Sequence, residues 1–244
     1  MGKSKCEIRV GTSGWHYKHW RGVFYPEELK TSEWFGFFAK HFDTVEVNNS
    51  FYKLPDEKTV KDWAEEAPKG FLYTVKANRY ITHIKKLSDP GDALDNFYER
   101  MGHLGKTMGP VLYQLPPNLH KKMEKLRAFC EMLPKGHNTV FEFRHASWYD
   151  DDVLDVLDEF GCGFCVHDMG GVESPKERTG DVIYLRFHGT QGEYSGGYTD
   201  GQLSEWADWV KKHKKGIKAV YAYFNNDVEG NAVRNAMTLR DMLM

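Results

Sequence analysis

Short runs of β-branched and aromatic residues alternate along the chain with longer stretches whose apolar positions recur at helical spacing. This is the pattern of parallel strands joined by crossover helices. Strands are predicted at Ile8–Ser13, Thr44–Asn49, Phe71–Asn78, Val111–Leu115, Thr139–Arg144, Gly163–Asp168, Val182–His188 and Ala219–Asn225. Helices are predicted over Ser32–His41, Glu57–Glu66, Ala93–Lys106, Lys121–Leu133, Asp150–Phe160, Leu203–Lys212 and Asn231–Leu243. Ser32 with Glu33, and the acidic run Asp150-Asp151-Asp152, are start signals, while Gly161 is a stop. The connection Met169–Gly180 is short and carries Gly and Pro, so a degenerate sixth helix is expected there. Eight strands with no obvious Gly-rich phosphate loop favour a closed barrel over a doubly wound open sheet. The expected fold is α/β, a single (β/α)8 barrel of TIM type over residues 1–244.

Side chains alternate faces along a strand, so parity sorts these segments into an apolar and a polar face. Glu46, Asn48 and Ser50 fall opposite Val45 and Val47. Lys76 and Asn78 fall opposite Val75 and Ala77, and Gln114 opposite Val111, Tyr113 and Leu115. Glu142 and Arg144 oppose Phe141 and Phe143, and Tyr184, Arg186 and His188 oppose Ile183, Leu185 and Phe187. The apolar face suits packing against helices. The polar one gathers charge toward the carboxyl ends of the strands, where barrels build their sites.

Composition narrows the partners. With 244 residues, 28% charged and a net charge of -2, the chain has no global positive field, so any basic surface is local. The four cysteines, Cys6, Cys130, Cys162 and Cys165, include one C-x-x-C pair without a second ligand pair, and read as small buried residues in a reducing compartment. Lys3 to Arg9 is polar and no apolar stretch nears membrane-spanning length, so a cytoplasmic protein with no membrane association is expected.

On the polar face, Lys76, Arg144 and Arg186 suit a carboxylate or phosphate, which a guanidinium holds through paired hydrogen bonds. Glu46, Glu142 and His188 are the candidate proton-transferring residues. The alternative is a lattice of structural ion pairs, since buried charges need partners. Ser13, Trp15, Asn48, Tyr52, Gln114, Asp168 and Asn225 complete the candidate binding set. The turn Thr12-Ser13-Gly14-Trp15 either offers backbone amides to a ligand or simply turns tightly beside a packed Trp15. No cofactor is predicted. A divalent metal on Glu46, Glu142, Asp168 and His188 is the competing arrangement, opposed by the three cations.

The stretches GTSGWHYKHWRGVFYP, FDTVEVNNSFYKLP, YTVKANRYITH, GPVLYQLPP, FEFRHASWY, YLRFHG and AYFNND, in that order, resemble successive signature blocks of the YecE-like family, domain of unknown function 72. The resemblance runs from Ile8 to the final helix. It implies a β/α barrel and a pocket lined by Gly14, Trp15, Glu46, Asn48, Phe51, Tyr52, Lys76, Thr82, His83, Gln114, Pro116, Glu142, Arg144, Trp148, Asp168, Arg186, His188, Gly189, Asn225 and Asn226. It supplies no reaction.

Two functions follow as expectations. One is an enzyme using acid/base chemistry on a phosphate-bearing or acidic carbohydrate or nucleotide-like substrate. The other is non-catalytic binding of an acidic metabolite or, less favoured, of single-stranded nucleic acid, with the aromatic residues between Trp15 and Tyr25 as a stacking platform.

Overall fold

The structure is a computed structural model that describes residues 6–170, 172–192 and 194–244. Among these residues the strands are β1 (Glu7–Thr12), β2 (Thr44–Val47), β3 (Leu72–Lys76), β4 (Met108–Gln114), β5 (Thr139–Glu142), β6 (Gly163–Met169), β7 (Val172–Glu173), β8 (Val182–Phe187) and β9 (Ala219–Phe224). The α-helices are α1 (Trp34–Phe38), α2 (Asn49–Tyr52), α3 (Glu57–Glu66), α4 (Gly91–Met101), α5 (Met123–Met132), α6 (Asp151–Glu159), α7 (Asp200–His213) and α8 (Asn231–Leu243). The fold is α/β, a barrel of TIM type, as the strand and helix alternation predicts. Residue contacts divide it into two compact units. The first runs to Glu46 and resumes at Val166–Lys176 and Asp181–Met244; the second is Val47–Cys165 with Glu177–Gly180.

In the first unit, β1 and β8 pair in parallel with β9 on either side, and β6 lies next to β8. β1 also meets the start of β2, through a parallel bridge between Ser13 and Glu46. Gly11 permits that approach, because a Cβ there would stand 2.4 Å from the Thr44 carbonyl oxygen. Helix α8 packs on β1 and α7. The start of α7 is fixed by a capping box, in which the Thr199 hydroxyl accepts from the Gln202 amide and the Gln202 side chain accepts from that of Thr199.

In the second unit, β3, β4, β5 and the start of β6 run parallel in that order. The register sets Lys76 opposite Leu112, and Gln114 opposite Glu142. The Asp56 carboxylate caps α3 by accepting from the Thr59 amide. Tyr113 and Phe141 stack on each other and both meet Phe129 of α5, so the odd-numbered positions of β4 and β5 face the helices as parity predicts.

Several boundaries differ from expectation. Strand β2 ends at Val47, Asn48 is already helical in its backbone, and Ser50 belongs to the short α2 rather than to a strand face. Between β6 and β8 no helix occurs among the described residues; the chain forms the two-residue β7 antiparallel to β6 and then a loop, in keeping with a degenerate sixth crossover. Helix α4 stops at Met101 and tightens into a 3-10 stretch, broken at Gly105 where φ is 54°.

Candidate functional site

In the first unit the centre of the polar face is Glu46. Its Oε1 accepts from Ser13 Oγ at 2.7 Å and from Arg186 Nη2 at 2.7 Å, and its Oε2 accepts from Tyr184 Oη at 2.6 Å. The alternation of β8 delivers two of these partners: Tyr184 and Arg186 point to Glu46 while Phe187, on the other face, meets Trp206 of α7. Burial pushes the Glu46 carboxyl up, but the Arg186 charge and the hydrogen bonds from Arg186, Tyr184 and Ser13 more than reverse this, leaving it below the ordinary carboxylate range.

The turn after β1 is occupied by the fold itself. The Ser13 amide donates to Phe224 O and the Gly14 amide to Glu46 O, which corrects the reading of these amides as ligand donors. Trp15 sits edge-on to Phe35 at 5.4 Å. Trp20 and Tyr25 are buried, and Tyr25 stacks on Trp34 at 4.6 Å with rings 3° apart. These two residues are therefore core and unavailable for stacking a base, so the expected platform loses them.

At the ends of β6 and β8, the His188 amide donates to Asp168 O, and His188 Nδ1 stands 3.2 Å from that same oxygen. The Tyr198 hydroxyl, hydrogen-bonded to the Asp168 carboxylate, accepts from the Gly189 amide at 3.2 Å. Burial first, and Asp168 second, push the Tyr198 phenol well up. Asn225 is half-buried and donates its amide to Phe187 O. The neighbouring Asn226 is fully buried and donates from Nδ2 to Gly196 O and Asn235 Oδ1.

The second unit carries a different arrangement. Glu142, fully buried at the end of β5, forms an ion pair through Oε1 with Nε of Arg144. Lys76, at the end of β3, holds its Nζ 4.1 Å from the centre of the Phe51 ring. Phe51 meets His83 edge-on at 4.9 Å, and His83 Nδ1 lies 2.8 Å from the Thr82 hydroxyl. His83 sits in a single π-helical turn, Tyr80–Ile84, a local irregularity that often accompanies functional sites. Its imidazole is held down to about 4, first by burial and then by the charges of Lys76, Arg79 and Arg144, with Glu142 acting in the opposite sense. Gln114 is half-buried in register with Glu142. Asn48 keeps a buried Oδ1 that accepts no hydrogen bond from the described residues. Tyr52 projects into solvent and lines a cleft of about 610 Å³ with Lys53, Asp56 and Arg100.

The candidate residues thus fall into two sets. Ser13, Glu46 and Arg186 are joined in the first unit, where Asp168 and His188 form a second contact. Lys76, Glu142 and Arg144 all act on His83 in the second. Parity reasoning assigned no role to His83, because it follows a strand inside an irregular turn, or to Phe51, which lies on α2; only the family resemblance pointed to them. Among the described residues, no three His, Cys, Asp or Glu side chains form a group that could hold a metal ion. No helix among them is long and apolar enough to cross a membrane.

Residues 9–244 match the family model described as "Protein of unknown function DUF72". The chain is 23% identical to UPF0759 protein YunF of Bacillus subtilis strain 168 over 97% of this chain and 94% of that one. It is 28% identical to UPF0759 protein YecE of Escherichia coli K12 over 58% of this chain and 50% of that one. The crystal structure of a DUF72 family protein from Thermotoga maritima MSB8 superposes with a TM-score of 0.87 at 29% identity, covering 97% of this chain and 99% of the other. The chain therefore belongs to the DUF72 family, as the order of its sequence blocks leads one to expect.

Proposed function

We propose that this protein is an enzyme that binds a small anionic substrate, phosphate-bearing or carboxylate-bearing, at the carboxyl ends of β3 to β5 and moves a proton on it. The observation that supports this reading is the balance of charge around His83, where Lys76, Arg79 and Arg144 outweigh Glu142. A partly buried site with that balance attracts an anion, and partial exclusion of water strengthens the attraction.

The roles follow from the chemistry of the side chains. Lys76 supplies a compact ammonium placed by the Phe51 ring, and Arg144 a planar donor fork. Glu142, a carboxylate in its ion pair with Arg144, begins by accepting a proton. His83 stays neutral at physiological pH and contributes hydrogen bonding rather than charge. In the first unit, Glu46 has its oxygens committed to Ser13, Tyr184 and Arg186, so it serves better as a fixed counter-charge that orients Arg186 than as a proton carrier.

The test is calorimetric titration with inorganic phosphate and with a hexose phosphate, on the wild type and on K76M and R144M. Loss of a charged hydrogen-bond partner costs about 1.5–3 kcal/mol, so each variant is expected to bind roughly 10-fold to 100-fold more weakly. Affinity unchanged in both variants would refute the assignment.

A further inference from the structure

Apart from the surroundings of His83, the second unit holds an open cleft of about 610 Å³ lined by α2, the link from α2 to α3, and the last turn of α4. Each supplies a different kind of group. Tyr52, the last residue of α2, is 72% exposed, whereas Phe51 beside it is 8% exposed and meets Lys76 and His83. The Tyr52 ring stands edge-on to Phe51 at 5.1 Å, so it is held in place while most of its aromatic surface stays uncovered at the cleft. Arg100 reaches in from α4. Its Nη1 donates to Pro55 O at 2.6 Å, which anchors the guanidinium in the cleft wall, and its other nitrogens make no hydrogen bond among the described residues. Lys53 is exposed, and its ammonium has neither a hydrogen bond nor an ion pair among those residues. The opposing carboxylates are engaged elsewhere. Asp56 accepts from the Thr59 amide at 2.7 Å in capping α3, and Glu57, whose charge reaches Arg100, pairs with Lys61.

We propose that this cleft is a second binding site, for a ligand that joins an aromatic ring to a phosphate or carboxylate. Arg100 and Lys53 hold the anion, the guanidinium through paired hydrogen bonds, and Tyr52 stacks on the ring. The uncovered ring and the two cations with free donors lie within one solvent-open cleft, so a small ligand reaches all three without any rearrangement of the chain. The site shares no residue with the arrangement of Lys76, Glu142 and Arg144, and does not depend on the function proposed there.

The experiment titrates phenyl phosphate, and inorganic phosphate for comparison, into the full-length protein and follows the backbone amide resonances of Asp56 and Thr59 by NMR. Both resonances should move saturably, and phenyl phosphate should bind at least about 5-fold more tightly than inorganic phosphate, the low end of what stacking on an aromatic side chain contributes. Y52A should abolish that difference. R100M should bind roughly 10-fold to 100-fold more weakly, and K53M, altered at an exposed position, should also bind more weakly. K76M should bind at the cleft as the wild type does. Resonances that stay still, a phenyl ester no tighter than phosphate, or a difference that survives Y52A would overturn the proposal. So would wild-type affinity in both R100M and K53M, or loss of the shifts in K76M, which would locate the phosphate at the other site. Should R100M fail to fold, K53M alone decides.

Discussion

Arg186 donates from Nη2 to Glu46 Oε1 across 2.7 Å, with the arginine side chain 2% exposed and the glutamate closed to solvent altogether. Removing one partner of such a pair leaves a buried charge without compensation, which costs about 3–5 kcal/mol. E46Q and R186M should each melt roughly 6–20 °C below the wild type, given about 2–4 °C per kcal/mol for a chain of this size. The double variant E46Q/R186M should recover part of that loss, because no charge is then stranded. Differential scanning calorimetry of the three variants checks this; a double variant whose loss equals the sum of the single ones contradicts the pairing.

The same pair fixes a pH dependence. Glu46 in the folded chain lies below its ordinary value of 4.5, so its contribution to stability is fully present above that value and is lost as the pH falls through the folded pKa. In R186M the arginine charge and its hydrogen bond are gone and burial acts against only the Tyr184 and Ser13 hydrogen bonds, moving Glu46 upward; stability then declines as the pH rises through the raised pKa. The stability gap between wild type and R186M should therefore widen from pH 3 to pH 7 in urea titrations. A gap constant over that range contradicts the account.

Gly11 tests the approach of β1 to β2. An added methyl would meet backbone at Thr44, with the carbonyl oxygen 2.4 Å away and the carbonyl carbon 3.2 Å away, and backbone cannot rotate aside. G11A should destabilise by about 1–3 kcal/mol or more, the cost of overpacking a filled interior. Chemical denaturation that finds G11A as stable as the wild type would show the two strands to be further apart.

Much of this was legible in the sequence, and the reasons it stopped are physical. Alternation correctly placed Tyr184 and Arg186 opposite Phe187, and Tyr113 and Phe141 against α5, because a strand has only two faces. It failed at Ser50, where the chain leaves β2 at Val47 and the period changes from two to that of a helix. It was silent on His83, whose π-helical turn has neither period.

Glu142 separates binding from chemistry. E142Q keeps the shape and removes the negative charge, so Arg144 remains to hold an anion. Turnover of any substrate found should fall by about 100-fold to 10,000-fold, the usual worth of a positioned acid/base group. Phosphate affinity should be undiminished. Steady-state kinetics and calorimetry on the same preparation check both; full turnover in E142Q rules out the proton-transfer role.

The most direct test of the anion-binding proposal is the titration of the His83 imidazole by NMR, with and without inorganic phosphate. Without phosphate the pKa should lie near 4, held down by burial and by Lys76, Arg79 and Arg144. A bound anion offsets those cations and favours the imidazolium, so saturating phosphate should move the value upward toward the ordinary 6.5. A His83 pKa that phosphate leaves unchanged would contradict the proposed site.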